Sequence, residues 1–240
     1  MTLRIGFDMD GVLADFVSAY REIEQGLFGS AEIRSRAADP EEQATAEAES
    51  ERQNGEGPES DPAAVRTRLR DARRRSDSVW QAIHATPDFW TTLKPTEEGG
   101  VRRIQELALR HRWEVFFMTQ RPPTEGDTVQ RQTQRWLVDQ GFDLPSVLAI
   151  AGSRGAAAGA LQLDYHVDDS AQNCIDVVSQ SRAKPILIIA QDTSMATSAR
   201  KLRIGTAASL GQCLDVLEEA SLVQARPGLM DRLASIVGWK

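Results

Sequence analysis

Short apolar runs alternate with segments of helical periodicity along most of the chain. The apolar runs cover residues 3–7, 115–118, 146–150, 165–167 and 185–190, and helical periodicity covers residues 99–111, 128–140, 171–181 and 208–220. Continuous apolar runs of this length are typical of strands that are covered on both faces. Strands that alternate with such helices indicate βαβ units with right-handed crossovers. The pattern therefore predicts an α/β protein with a three-layer, doubly wound, mostly parallel (Rossmann-like) sheet.

Residues 17–93 depart from this alternation, because they contain no strand pattern. Helical patterns cover residues 17–28 and 63–84, and residues 37–62 between them have almost no large apolar side chain. Such a segment cannot offset the entropy cost of ordering, so we expect a flexible acidic insertion there. A helical insertion after the first strand predicts a small cap above the carboxyl ends of the strands, where open α/β sheets bind ligands. The predicted domains are an α/β core of residues 1–16 and 94–240 and a helical cap of residues 17–93.

The negative charge of the chain is concentrated in the predicted insertion. The 240 residues carry a formal net charge of −7, and residues 37–62 contain nine acidic residues and one arginine. The rest of the chain is therefore close to neutral. Six arginines between residues 66 and 75 could contact a nucleic-acid backbone, but pairing with the acidic segment or with solvent is the favoured interpretation. We do not expect a nucleic-acid partner.

The sequence also bears on where the protein acts and in what assembly. It contains no apolar run long enough to span a membrane, and its first residues lack the pattern of a secretory signal. Cys174 and Cys213 are too few for a disulfide framework or a cysteine-rich zinc site, and two free thiols suit the cytoplasm. An amphipathic pattern over residues 226–239 predicts a helix that packs on the core or on a second subunit. We expect a cytoplasmic protein without a membrane partner, and a homo-oligomer stays open.

Two carboxylates follow the first predicted strand in the sequence FDMDGVLADF. Asp8 and Asp10 are two residues apart, so an extended strand would direct both to one side, and Gly11 lets the chain turn sharply. An acidic turn after a strand is the plain alternative. Carboxylates in this position, however, suit a hard divalent cation, a nucleophile that forms an acyl phosphate and a proton donor to the leaving oxygen. We predict that this pair is catalytic.

Two further predicted strands also end in polar residues. The sequence VFFMTQRP places Thr119 where its hydroxyl and the following backbone N–H groups, starting with Gln120, could hold a phosphate oxygen, although a simple strand-to-loop threonine is the alternative. The sequence YHVDDS places Asp168 and Asp169 at another strand end. Adjacent carboxylates repel unless a cation or a basic group lies between them, and Asp169 or Ser170 could also cap the next helix. We expect both roles, with Asp168 facing a metal and Asp169 supporting it locally.

These strand ends, with the sequences DMDGVLADF, FFMTQRP and HVDDS, resemble the haloacid dehalogenase superfamily of phosphotransferases and hydrolases. The resemblance covers the first sixteen residues and residues 87–217. It implies that Asp8 is the nucleophile, and that Asp10 is the general acid and base and lends its backbone carbonyl to Mg²⁺. It also implies that Thr119 binds the phosphoryl group, and that Asp168 completes the Mg²⁺ shell with Asp8.

The chain departs from that family at the basic residue beside the nucleophile, which is nearly always lysine. No lysine lies between Lys94 and Lys184. The candidate is Arg154, fourteen residues before Asp168. Arginine keeps the charge and offers bidentate contacts to phosphate, yet it is larger than an ammonium group. A surface arginine that begins a helix is the alternative, and we predict that Arg154 binds phosphate.

The opening motif and the sequence TPDFWTTLKPTEEGGVRRIQELA further resemble the 5′(3′)-deoxyribonucleotidase group of that superfamily. This resemblance implies a Mg²⁺-dependent phosphomonoester hydrolase that acts on (deoxy)nucleoside monophosphates, with Arg121 reaching the phosphate. Phe16, Phe89 and Trp90 would pack against the base, unless they form a small core of the cap, and Asp15 lies either in the pocket or on a solvated helix face. The alternatives are a phosphatase for another small phosphorylated metabolite or a nucleic-acid end, and a non-catalytic binding protein.

Overall fold

A six-stranded sheet forms the centre of the protein. The computed structural model describes residues 2–29, 62–189 and 193–223. Within them the strands are β1 (Arg4–Asp8), β2 (Glu114–Thr119), β3 (Ser146–Ala149), β4 (Tyr165–Asp168), β5 (Lys184–Ile188) and β6 (Gly205–Ala207). All neighbouring strands are parallel, in the order β3-β2-β1-β4-β5-β6. The predicted doubly wound parallel sheet is confirmed.

Helices connect the strands. They are α1 (Phe16–Phe28), α2 (Pro62–Ala85), α3 (Gly100–His111), α4 (Val129–Asp139), α5 (Arg154–Ala160), α6 (Ala171–Gln180), α7 (Thr193–Lys201) and α8 (Leu210–Val223), with a 3₁₀ helix over Phe89–Thr91. The sequence pattern did not predict α5, α7 or β6, because each is short and poor in large apolar side chains. No helix in the described part of the chain is long and apolar enough to cross a membrane.

The central strands are covered on both faces, as their continuous apolar sequences predicted. Ile5 and Phe7 of β1 are fully buried, and so are Phe117 of β2 and Val167 of β4. Phe7 lies in register with both Phe117 and Val167. Burial of this kind is typical of parallel sheets that lie between two layers of helices. It fixes the strands firmly, so the residues at their carboxyl ends hold defined positions.

The direction of chain progression through the sheet reverses between β1 and β4. Chain connections from β1 lead outward to β2 and β3 on one side, and the chain then crosses back to β4, β5 and β6 on the other. In open α/β sheets this reversal leaves a crevice at the carboxyl ends of the two central strands, where ligands bind. Asp8 ends β1 and Asp168 ends β4.

The chain divides into two compact units, one of Met1–Phe16 and Pro87–Lys240 and the other of Val17–Thr86. Inside the second unit, the Tyr20 hydroxyl hydrogen-bonds the Ser76 hydroxyl at 3.2 Å, and the Tyr20 ring meets Trp80 edge to face. The described part of this unit consists of helices, and its predicted role as a cap stays a prediction. The predicted flexible insertion at residues 37–62, except for Pro62 at the start of α2, and the predicted helix at 226–239 lie outside the described residues.

Candidate active site

The carboxyl ends of β1, β2 and β4 bring three of the predicted site residues to one edge of the sheet. Asp8 ends β1 in register with Met118, one residue before Thr119 at the end of β2. Asp168 ends β4 on the other side of β1. All three residues are at least 94% buried, at 6% exposure for Asp8, 1% for Thr119 and 0% for Asp168. Buried polar side chains at a switch point are candidates for ligand binding.

Asp8, Asp168 and Asp169 form an acidic cluster. Each offers one carboxylate oxygen, and these oxygens lie within 4.8 Å of one another. Gly11 makes room for the third member, because a Cβ atom at position 11 would lie 1.7 Å from Asp169 Oδ2. The φ angle of +78° at Gly11 also favours glycine. Asp169 is thus a member of the cluster, and its supporting role stays a prediction.

Arg154 lies beside the predicted nucleophile. Its Nη2 donates to Asp8 Oδ1 at 2.7 Å, its Nε donates to the same oxygen at 3.2 Å, and Nε is 4.0 Å from Asp168 Oδ2. The side chain is 4% exposed, and its Nη1 is buried without a hydrogen-bond partner among the described residues. A buried guanidinium nitrogen rarely lacks a partner. Arg154 is therefore placed to donate to an anionic group that binds next to Asp8.

Helix α5 holds Arg154 in this position. Ser153 caps the helix, since its hydroxyl accepts from the backbone N–H groups of Gly155 and Ala156. At Gly155 a Cβ atom would lie 2.0 Å from the backbone oxygen of Asp176 in α6, so the glycine permits close packing of the two helices. The arginine is thus the first residue of a tightly packed helix. It is buried, whereas the alternative interpretation placed it on the surface.

Burial raises the pKa of Asp8 well above its usual value, and the neighbouring charge of Asp168 raises it further. Arg154 acts in the opposite direction but does not cancel these effects. A positive charge bound next to these carboxylates would stabilise their ionised forms. Their oxygen atoms are the ligands that Mg²⁺ prefers. The residues present fit a hard divalent cation.

Three neighbouring groups orient the carboxylate of Asp168. Its Oδ1 accepts from the backbone N–H of Ser170 at 2.9 Å and from Asn173 Nδ2 at 3.1 Å, and its Oδ2 is 2.8 Å from His166 Nε2. His166 is fully buried. The sequence analysis missed His166 and Asn173, although their spacing at two residues before and five after Asp168 was visible. Ser170 caps α6 through its side chain, as one alternative predicted.

Asp10 lies in a different environment from Asp8. Arg121 Nε donates to both carboxylate oxygens of Asp10, at 3.1 Å and 2.9 Å, and Arg121 Nη2 donates to Oδ1 at 2.7 Å. The third nitrogen, Nη1, donates to Thr133 Oγ1 at 3.1 Å. The sequence analysis assigned the side chain of Arg121 to phosphate, and the structure directs all three of its nitrogens to protein groups.

The remaining predicted residues are spread around this edge. Gln120 is exposed directly after Thr119. Phe89 and Trp90 are 4% and 1% exposed and belong to the core of the first unit, so their burial favours a packing role over contact with a base. Phe16 is half-buried, with its ring 5.6 Å from that of Trp90. The backbone N–H of Asp15 donates to the carbonyl of Lys94, and the role of Asp15 stays a prediction.

Solved structures share this architecture. A protein from Thermotoga maritima assigned as a beta-phosphoglucomutase matches 91% of this chain and 99% of its own with a TM-score of 0.50 and 17% identity. A haloacid dehalogenase-like hydrolase from Streptococcus pneumoniae matches 90% of this chain and 98% of its own with a TM-score of 0.50 and 10% identity. The chain has the haloacid dehalogenase-like fold. At these identities the likeness concerns the fold.

Sequence comparisons add no closer relative. No protein-family model matches the chain, and a search of curated proteins finds no match. Neither of these two structures is described as a nucleotidase. The resemblance to the deoxyribonucleotidase group is therefore not supported by these comparisons.

Proposed function

We propose that the protein is a Mg²⁺-dependent phosphomonoester hydrolase that works through an aspartyl-phosphate on Asp8. The observation that carries this proposal is the buried, unpartnered Nη1 of Arg154 beside Asp8 and the acidic cluster. An unpartnered hydrogen-bond donor and an acidic cluster that could hold a cation, both next to Asp8, suit the binding of a phosphoryl group. The haloacid dehalogenase-like fold agrees with this activity.

In the first step a carboxylate oxygen of Asp8 attacks phosphorus and the ester P–O bond breaks. Asp10 donates a proton to the leaving alcohol oxygen. Arg154 Nη1 donates to a phosphoryl oxygen while its Nε and Nη2 keep Asp8 in place. Thr119 Oγ1 accepts from the backbone N–H of Arg121 at 3.3 Å, so its own O–H can donate to a second phosphoryl oxygen.

In the second step water attacks phosphorus and the bond to Asp8 breaks. Asp10 takes the proton from the water, and inorganic phosphate leaves. Asp8 returns to its starting form, so the cycle is complete. Asp8, Asp168 and Asp169 would hold Mg²⁺, with the backbone carbonyl of Asp10 as a further predicted ligand. When bound, the ion supplies positive charge that lets the anionic ester approach three carboxylates.

One stretch of the sequence bears on the substrate class. The resemblance of residues 86–108 to the deoxyribonucleotidase group favours nucleoside monophosphates, and we propose these as the first substrates to test. Phosphorylated sugars and other small phosphomonoesters use the same Asp8, Asp10, Thr119 and Arg154. Only a panel of substrates separates these classes.

The test measures phosphate release from nucleoside monophosphates, a hexose phosphate and p-nitrophenyl phosphate, with Mg²⁺ and with chelator. We expect release with Mg²⁺ that chelator stops and that Asp8→Asn abolishes, because an amide cannot act as the nucleophile. Asp143→Asn, which changes an exposed aspartate in the same way, is the matched control and should keep full activity. Turnover by Asp8→Asn free of deamidation would falsify the assigned nucleophile.

Substitution of Arg154 tests the phosphate contact. We expect Arg154→Met to lower kcat/KM by about 10²–10³-fold, as loss of a positioned donor to the phosphoryl group does. Arg154→Lys keeps a charge next to Asp8 and should lose less. Equal activity of the methionine variant and the wild type would show that Arg154 makes no functional contact with the phosphoryl group.

A further inference from the structure

Arg121 is held on every side by protein groups. Its side chain is 0% exposed, and its guanidinium carbon lies 4.8 Å from the centre of the Trp90 ring. Three of its hydrogen bonds go to the carboxylate of Asp10 and one goes to Thr133 of α4. Thr133 is itself fully buried. A cation so enclosed cannot swing toward a ligand without leaving these partners unsatisfied.

The surroundings of Arg121 are fixed in turn. Trp90 Nε1 donates to the carbonyl of Pro122 at 2.9 Å, and the backbone N–H of Trp90 donates to Gln132 Oε1 at 3.1 Å. Gln132 is fully buried and also donates to the carbonyl of Asp127. The stacked indole and the α4 side chains therefore define where the guanidinium group lies. Among the three side chains that contact the Arg121 guanidinium group, Thr133 and Trp90 are buried and Asp10, with a side chain 26% exposed, reaches solvent.

We propose that Arg121 is a positioning residue that aims the carboxylate of Asp10 for proton transfer. This inference rests on the proposed hydrolase function. In the first step the proton passes from Asp10 to the leaving oxygen, and in the second it passes from water to Asp10, while Arg121 transfers nothing. The arginine fork fixes the plane of the carboxylate, which a lysine could not do with a single ammonium group.

The leaving group distinguishes this role from a phosphate contact. An alkoxide leaves poorly without a proton, whereas p-nitrophenolate leaves readily without one, so a fault in the general acid affects alkyl esters more. A lost phosphate contact would affect both esters alike and would raise KM. We therefore compare kcat/KM and KM for p-nitrophenyl phosphate and for the alkyl phosphate that the wild type hydrolyses fastest.

Arg121→Gln is the main variant. We expect kcat/KM to fall by about 10²-fold for the alkyl phosphate and by less than about tenfold for p-nitrophenyl phosphate, with KM changed by less than about threefold. In an Asp10→Asn background the same substitution should cause no further loss of kcat/KM, because the carboxylate that Arg121 positions is already absent. Arg131→Gln, the same change at an exposed arginine of α4, is the matched control and should leave both substrates unaffected.

Arg121→Lys keeps the test decisive if the glutamine variant does not fold. It retains the buried charge and should show the same preference for p-nitrophenyl phosphate with a smaller loss. Equal losses on the two esters, or losses that add to those of Asp10→Asn, would overturn the positioning role while leaving the hydrolase intact. Absence of release by the wild type from any ester would overturn the proposed function, and this inference with it.

Discussion

The carboxylate of Asp169 occupies the space that a side chain at position 11 would fill. The clash distance of 1.7 Å is far below any contact that real Cβ atoms make. Asp169 is also the exposed member of the acidic cluster, so it can be displaced where Asp8 and Asp168 cannot. Gly11 thus contributes to the proposed cation site although it offers no ligand from a side chain.

Gly11→Ala is expected to weaken the cation site more than the fold. The new methyl group should push Asp169 away and lower the affinity for Mg²⁺ by about 10–100-fold, the range seen when groups that orient metal ligands are changed. The positive φ angle should add a folding cost of about 1–2 kcal/mol. Isothermal titration with Mg²⁺ measures the first effect, and urea unfolding in chelator measures the second.

Gly99→Ala separates the two effects. Gly99 has a φ angle of +75°, close to that of Gly11, but a Cβ atom there would meet nothing within 4 Å. It should therefore show the folding cost without any change in Mg²⁺ affinity. A similar loss of affinity in both variants would mean that Asp169 is not displaced by the methyl group.

The positions of single residues could be predicted where they depend only on the end of a strand. Asp8, Thr119 and Asp168 each follow an apolar run, and parallel strands bring such ends together. The direction of the Arg121 side chain could not be predicted in this way, because it depends on Thr133 and on residues far apart in sequence. The sequence predicted a phosphate contact for Arg121, and the structure shows its side chain hydrogen-bonded to Asp10 and Thr133.

At the scale of elements, Asp88 ties the loop after β2 to the 3₁₀ helix and to α4. Its backbone N–H donates to the carbonyl of Glu125, and its Oδ1 accepts from the backbone N–H of Asp127 at 2.7 Å. Its Oδ2 accepts from Arg135 Nη1 of α4 at 2.9 Å. This loop also carries Arg121, so the hydrogen bonds of Asp88 help to keep Arg121 in place beside Asp10.

The pKa of Asp88 is lowered, first by the hydrogen bond from the Asp127 backbone and then by Arg135. Because the pKa is lowered in the folded state, the Asp88 carboxylate stabilises the fold when the pH is above the usual pKa of an aspartate. This contribution is lost as the pH falls through the folded-state pKa. Asp88→Asn should therefore lose stability near neutral pH, and its stability should fall less steeply as the pH drops below the usual pKa of an aspartate. Urea unfolding at a series of pH values measures the slope.

Asparagine is the suitable replacement here because it tolerates the φ angle of +52° at this position. Arg135→Gln should flatten the same pH range by a smaller amount, since the Asp127 hydrogen bond remains. An unchanged slope in Asp88→Asn would show that its carboxylate contributes nothing to the pH dependence of folding.

The elements themselves were predicted in proportion to their length and apolar content. Helix α3, with Val101, Ile104 and Leu107 on one buried face, begins within one residue of its predicted start. The apolar pattern did not indicate helix α5, which entered only as an alternative for Arg154, because RGAAAGA has no large apolar side chain; close backbone contact at Gly155 holds the helix instead. The position of α5 depends on its contact with another helix, and the apolar pattern of its own sequence does not reveal that contact.

At the scale of the whole molecule, the acidic cluster forms because the strand order places β1 and β4 next to each other. Asp8 and Asp168 are 160 residues apart, and only the crossover from β3 to β4 sets their strands side by side. The cluster forms when the sheet is complete, so a cation that binds three carboxylates binds the folded chain and not the unfolded one. Cation binding must therefore add to the stability of the whole first unit.

Mg²⁺ at a hundred times its dissociation constant should stabilise the wild type by about 2.7 kcal/mol. For a chain of this length that corresponds to a rise in Tm of about 5–10 °C. Asp169→Asn should lose most of this rise, since it removes one of the three clustered carboxylates. Asp10→Asn should keep it, because the Asp10 carboxylate is paired with Arg121 and its expected metal contact is the backbone carbonyl. Thermal unfolding of the three proteins, with Mg²⁺ and with chelator, tests the assignment, and equal shifts in the two variants would show that the cluster is not the cation site.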